Sequence, residues 1–123
     1  MNRDELDRYL FAKPGTEKDF KEEWGWDCYM INGKMFAALV RDTNPPLLTL
    51  KLEPIEGEFY RKQYPAIIPG YYMNKLHWNS IRLDDTVPEN LLREMMDKSY
   101  RLIFDALPKK AQTVILSVEK SDE

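Results

Sequence analysis

The sequence is poor in the side chains that most often hold metals or close disulfides. One residue of 123 is cysteine, Cys28, and one is histidine, His77. A lone cysteine closes no internal disulfide, which fits a reducing compartment, and it removes every cysteine-cluster metal site. A lone histidine removes H-E-x-x-H and two-histidine sites in the same way. Long apolar runs are also missing, since none approaches the roughly 20 residues that span a bilayer. The start, MNRDELDRYLF, has acids where a secretory leader would have a basic start and an apolar core. A cytoplasmic monomer without membrane association, metal or cofactor is the expectation. Neither G-x-x-x-x-G-K-[ST] nor G-x-G-x-x-G occurs, and Ser80 and Ser99 stand in no G-x-S-x-G. No enzyme is expected.

What is present is an ordinary globular composition, 43% hydrophobic and 32% charged, enough for one self-folding domain. The net charge is −3, which argues against a generic polyanion binder, but it is unevenly spread. Residues 1–33 and 83–123 each sum to −3, and residues 34–82 to +3. Within that basic middle, residues 59–83 contain Arg61, Lys62, Lys75 and Arg82 and no acid, interleaved with Tyr60, Tyr64, Tyr71, Tyr72 and Trp78.

Leu6, Tyr9 and Leu10 fall at helical spacing ahead of Pro14-Gly15, which predicts a short opening helix. TEKDFKEEWGW reads equally as a capped helical turn or a packed loop. Asn32-Gly33 between two β-prone runs predicts a hairpin with a type I′ turn. Alternation in Lys34–Val40 would set Met35, Ala37 and Leu39 on one face and Phe36, Ala38 and Val40 on the other. LLTLKLE gives a third strand, and a short helix from Pro54 would use Ile55 and Phe59 at i, i+4. AIIPGYYM and HWNSIRL read as two strands around a turn near Asn74-Lys75. Thr86-x-x-Glu89 matches a capping box for a last helix over 87–107. Asp84-Asp85 would favour that helix's positive end rather than a metal. The β-prone run Val114–Val118 could add an edge strand or pack loosely before an acidic end. Hairpin-linked strands with helices between groups imply an α+β two-layer sandwich, an antiparallel sheet with helices on one face in the order α-β(3)-α-β(2)-α.

INGKMFAALV, QYPAIIPGYYMNKLHWNSIRLDDTVPENLL and SYRLIFDALPKK resemble the MmcQ/YjbR family of small bacterial proteins. The resemblance covers about residues 3–110, so residues 1–110 read as one domain and 111–123 as a C-terminal extension. Its most specific string is Pro69, Gly70, Tyr71, Met73, Asn74, Lys75, His77, Trp78 and Asn79. It implies a CyaY-like fold in the same order of elements, and the DNA-binding role with which the family is commonly labelled. Tyr72 and Leu76 stand where relatives often carry a histidine and a basic residue, which removes two potential phosphate contacts.

The candidate nucleic-acid contacts are Arg61, Lys62, Lys75, His77, Asn79 and Arg82, with Lys34, Arg41 and Lys51 able to add to the same face. Nearby aromatics could stack on unpaired bases. The bland reading has Tyr71, Trp78 and Ile81 filling the core and the basic residues solvating a strand face. His77 beside Asn74 and Asn79 invites a general-base reading, but such a pair more often fixes the shape of a turn. Trp24 and Trp26 around Gly25 could close one end of the core or form an exposed platform. The rival partner to DNA is a protein meeting the same face or a sheet edge, and a third reading is a small-ligand site near His77.

Overall fold

The computed structural model describes residues 1–70 and 74–121, with side chains as far as residue 117. Tyr71, Tyr72 and Met73, and the acidic end of the chain, lie outside that description. The elements run α1 (Arg3–Phe11), β1 (Glu17–Lys21), β2 (Trp26–Ile31), β3 (Lys34–Val40), β4 (Leu47–Lys51), α2 (Pro54–Gln63), β5 (Ile67–Pro69), β6 (Trp78–Arg82), α3 (Glu89–Asp105) and α4 (Lys109–Ser121). The strands form one antiparallel sheet in the order β1-β2-β3-β4-β6-β5. Leu6, Leu10, Tyr60, Leu92, Met95, Met96 and Ile103 from the helices join Tyr29, Leu39, Leu50 and Ile81 in the main core. A smaller cluster, Trp26, Cys28, Ala38, Val40 and Leu47, lies on the other face and is built from strands alone.

Two segments depart from the sequence expectation. TEKDFK supplies β1, a fourth strand ahead of α2. Its residues are exposed except Lys21, so it carries no apolar alternation, and its pairing with Trp26–Met30 is what makes it a strand. Val114–Val118 is helical rather than an edge strand. In α4, Ala111 and Ile115 pack on the main core, and helical spacing is what lets residues four apart reach the same surface.

The hairpin turn forms as expected, with positive φ at Asn32 (49°) and Gly33 (77°). Strand β3 does not alternate simply. Ala37 pairs with Tyr29 and Met35 with Met30, so Phe36 is an extra residue, a β-bulge. Phe36, Ala37 and Leu39 therefore face the helices, while Met35 joins Ala38 and Val40 on the open face. Across β3 and β4, the buried Ser99 of α3 accepts from Lys51 N–H (2.8 Å) and donates to the Phe36 carbonyl (2.5 Å).

Other local expectations are redirected. Ile55 and Phe59 are 83% and 57% exposed, and α2 instead buries Gly57 and Tyr60. The Thr86 capping box does not form, because α3 starts at Glu89 with no side-chain cap and the Thr86 hydroxyl and N–H both donate to Asp84, at 2.5 and 3.1 Å. That turn, rather than the helix end, engages Asp84, and Thr86's hydrogen bonds hold its carboxyl below the ordinary range. The real capping box is on α1, where Glu5 N–H donates to Asn2 Oδ1 (2.9 Å) and Asn2 N–H to Glu5 Oε1 (3.1 Å). At Gly25 (φ +66°) an added Cβ would lie 2.0 Å from Asp42, so the Trp24-Gly25-Trp26 turn requires glycine.

Candidate nucleic-acid interface

Strand β6 and the turn before it carry four of the six candidate residues and also divide them. The turn before it is built by Asn74, whose carbonyl accepts from Trp78 N–H (2.9 Å) and whose side chain accepts from Leu76 N–H (2.9 Å). Lys75 and Leu76 are exposed in that turn and His77 is half-buried. The His77 carbonyl accepts from Leu52 N–H (2.8 Å), tying the turn to the end of β4 just ahead of α2.

Asn79 is corrected from surface contact to interior. It is 1% exposed, faces the helices opposite Leu50, accepts from Arg61 Nη1 and donates to the His77 carbonyl (3.3 Å). A buried amide with both ends hydrogen-bonded fixes the α2–β6 contact and has nothing left for a phosphate. Gly57 makes the close approach possible, since an added Cβ would stand 3.0 Å from both the Arg61 and Asn79 nitrogens. Arg61 is thus anchored to the protein at one nitrogen, and Lys62 pairs with Glu58 one turn back (3.1 Å). Arg82 is exposed at the far end of β6 and points to the open face beside Leu47. Three residues of strand, about 10 Å, separate it from Asn79, and the odd spacing puts the two on opposite faces. The six candidates do not form one surface.

Two of the residues named as additions, Lys34 and Lys51, join Lys75 in a different grouping. Lys34 opens β3, Lys51 closes β4 and Lys75 precedes β6, and these three strands are neighbours in the sheet. Antiparallel pairing brings all three lysines to the same end, with Lys51 opposite Trp78 on the open face and Lys34 opposite the core residue Ile31. Lys34 and Lys75 are exposed, Lys51 is half-buried, and none of the three is in an ion pair among the described residues. Arg41 sits at the opposite end, its Nε 3.2 Å from Asp27 in an ionic contact without hydrogen-bond geometry, and its guanidinium 4.2 Å from the Phe20 ring centre. No group of three or more metal-ligating side chains occurs among the described residues, and no described helix is long and apolar enough to cross a membrane.

A six-stranded antiparallel sheet with every helix packed on one face, and lysine-bearing turns at one end, defines a small α+β domain. Residues 11–102 match the YjbR family model, and the chain belongs to that family. It is 28% identical over 118 residues to the uncharacterized protein YjbR of Escherichia coli K12, covering 96% of this chain and all of that one. It is 36% identical over 87 residues, 71% of each chain, to the uncharacterized protein YbdF of Escherichia coli O157:H7. Among solved structures, a Deinococcus radiodurans protein with the domain DUF419 superposes with TM-score 0.85 at 30% identity, over 91% of this chain and 86% of that one. A Pseudomonas syringae protein superposes with TM-score 0.72 at 26% identity, over 83% and 98%.

Proposed function

We propose that this YjbR-family chain is a non-enzymatic, monomeric cytoplasmic domain that binds nucleic acid through backbone phosphates at the Lys34, Lys51 and Lys75 end of its sheet. The observation that carries the reading is that those three lysines, without acid partners among the described residues, sit at one end of adjacent strands. Adjacent strands are about 4.8 Å apart, so two strand spacings separate β3 from β6 by about 10 Å, a span over which successive phosphates can be met. The Asn32-Gly33 and Asn74–His77 turns flank the lysines at this end. The acid-free window that first marked the second half contributes Lys75 and His77 to this end, while Arg82 serves elsewhere.

Fluorescence anisotropy on duplex and single-stranded oligonucleotides tests it. Three neutralised phosphates imply that duplex affinity falls about 40-fold between roughly 50 and 200 mM salt. Lys34→Glu and Lys75→Glu should each weaken binding and flatten the salt slope. Lys62→Glu and Arg82→Glu should leave both close to wild type.

Ile55, Phe59 and Leu76, 83%, 57% and 61% exposed, favour a second reading, a protein partner. Ile55 and Leu76 flank the Leu52–His77 hydrogen bond in sequence, so this apolar surface adjoins the lysine end. Association through it would survive added salt.

A further inference from the structure

The open face of the sheet carries a groove of about 670 Å³, within the roughly 300–1,000 Å³ of small-molecule sites. Trp24 and Trp26, on either side of Gly25, set their ring centres 5.4 Å apart at 60°, forming two walls of a corner. Trp24 is 56% exposed and supplies the open ring face. Cys28, Met30 and Met35 line the rest with polarisable sulfur.

The charges around this corner are unbalanced. Register places Glu17 opposite Met30 and Asp19 opposite Cys28, so both acids share the face of the groove, and Glu23 lines it directly. Lys21 is the one lining cation among the described residues, and its ammonium lies 2.7 Å from Asp19, which offsets it. Glu23 has no ion pair among the described residues. Lys18 is turned to the other face, 2.5 Å from Asp7 of α1, and Arg41 is held by Asp27. Among the described residues, the lining therefore carries the unpaired Glu23 carboxylate beside an ammonium already offset by Asp19, with Glu17 further along the same face of the sheet. Indole faces are negative in their quadrupole, so carboxylates and rings act in the same sense, attracting a cation with apolar substituents and repelling an anion.

We propose that this groove binds a small organic cation, a quaternary or methylated ammonium, against Trp24 and Trp26 with Glu23 as counter-ion. The site is independent of the phosphate-contact reading, because it uses the open face and the opposite charge preference.

The test is a titration of the full chain with choline, followed by tryptophan fluorescence and by the indole N–H resonance of Trp24. Choline should give a saturable change, and its uncharged carbon isostere should bind about tenfold more weakly. Trp24→Ala and Glu23→Gln should each weaken choline binding several-fold. Both side chains lie at the protein surface, and an unchanged far-ultraviolet circular dichroism spectrum verifies the fold. Lys21→Gln should tighten binding. Equal affinity for choline and its isostere would show a plain hydrophobic cleft and overturn the proposal. So would the absence of any saturable change at roughly 10 mM choline, where even a roughly 1 mM site is mostly filled.

Discussion

The hydroxyl of Ser99 on α3 donates to the carbonyl of Phe36, the bulged residue of β3, at 2.5 Å. The same oxygen accepts from Lys51 N–H at 2.8 Å, so one buried side chain satisfies two backbone groups on neighbouring strands. This is how the sheet admits an extra residue and still closes β3 against β4, just where Lys51 leaves the sheet. Ser99→Ala leaves a half-buried N–H and a buried carbonyl unpaired, and should cost about 1–3 kcal/mol. Urea titration should show a lower midpoint with an unchanged slope, the sign of lost stability without a changed denatured state.

Asp7 links α1 to the edge of the sheet, accepting from Lys18 (2.5 Å) and from Tyr29 Oη (2.7 Å). Burial alone would raise its pKa, but those hydrogen bonds and the charges of Lys18 and Arg3 outweigh burial and hold it below the ordinary 3.8. A carboxylate depressed on folding adds stability that is present above the unfolded value and lost as pH falls through the folded one. The thermal midpoint should therefore drop between about pH 5 and pH 2, and Asp7→Asn should start lower and fall less over that range.

Asn79→Ala separates structure from contact. It removes the acceptor of Arg61 and the donor to the His77 carbonyl, and should destabilise the fold by about 1–3 kcal/mol in a chemical denaturation measurement. Nucleic-acid affinity of the folded protein should stay within about twofold of wild type, because no part of this amide reaches the surface.

The hairpin was legible because Asn32-Gly33 dictates backbone geometry locally, and α1 and α3 because their apolar residues recur at helical spacing. β1 was not, since an edge strand exposed on both faces has no pattern to read beyond its charges. α4 was not legible because the β-prone run Val114–Val118 reads as an edge strand or as loose packing in isolation, whereas Ala111 and Ile115 gain a place on the core only as a helix. The bulge at Phe36 escaped because both faces of β3 are apolar, so no polar residue reports the slipped register. For the site, the acid-free window singled out Lys75 and His77, which lie together in the turn before β6. Adding Arg82 and Asn79 failed on strand geometry: side chains a few residues apart in β6 point to opposite faces or lie at opposite ends. The lysine that completes the group, Lys34, is more than forty residues from Lys75 in the chain. It becomes a neighbour only through the β3-β4-β6 order, which no local pattern encodes.

The most direct test is the salt dependence of duplex DNA binding by wild type and Lys75→Glu, read by anisotropy at roughly 50 and 200 mM salt. Wild-type affinity should fall about 40-fold across that range, and Lys75→Glu should bind more weakly with a salt slope smaller by about one. No binding at the lower salt, or binding that neither salt nor Lys75→Glu changes, would contradict a phosphate-contacting end built from Lys34, Lys51 and Lys75.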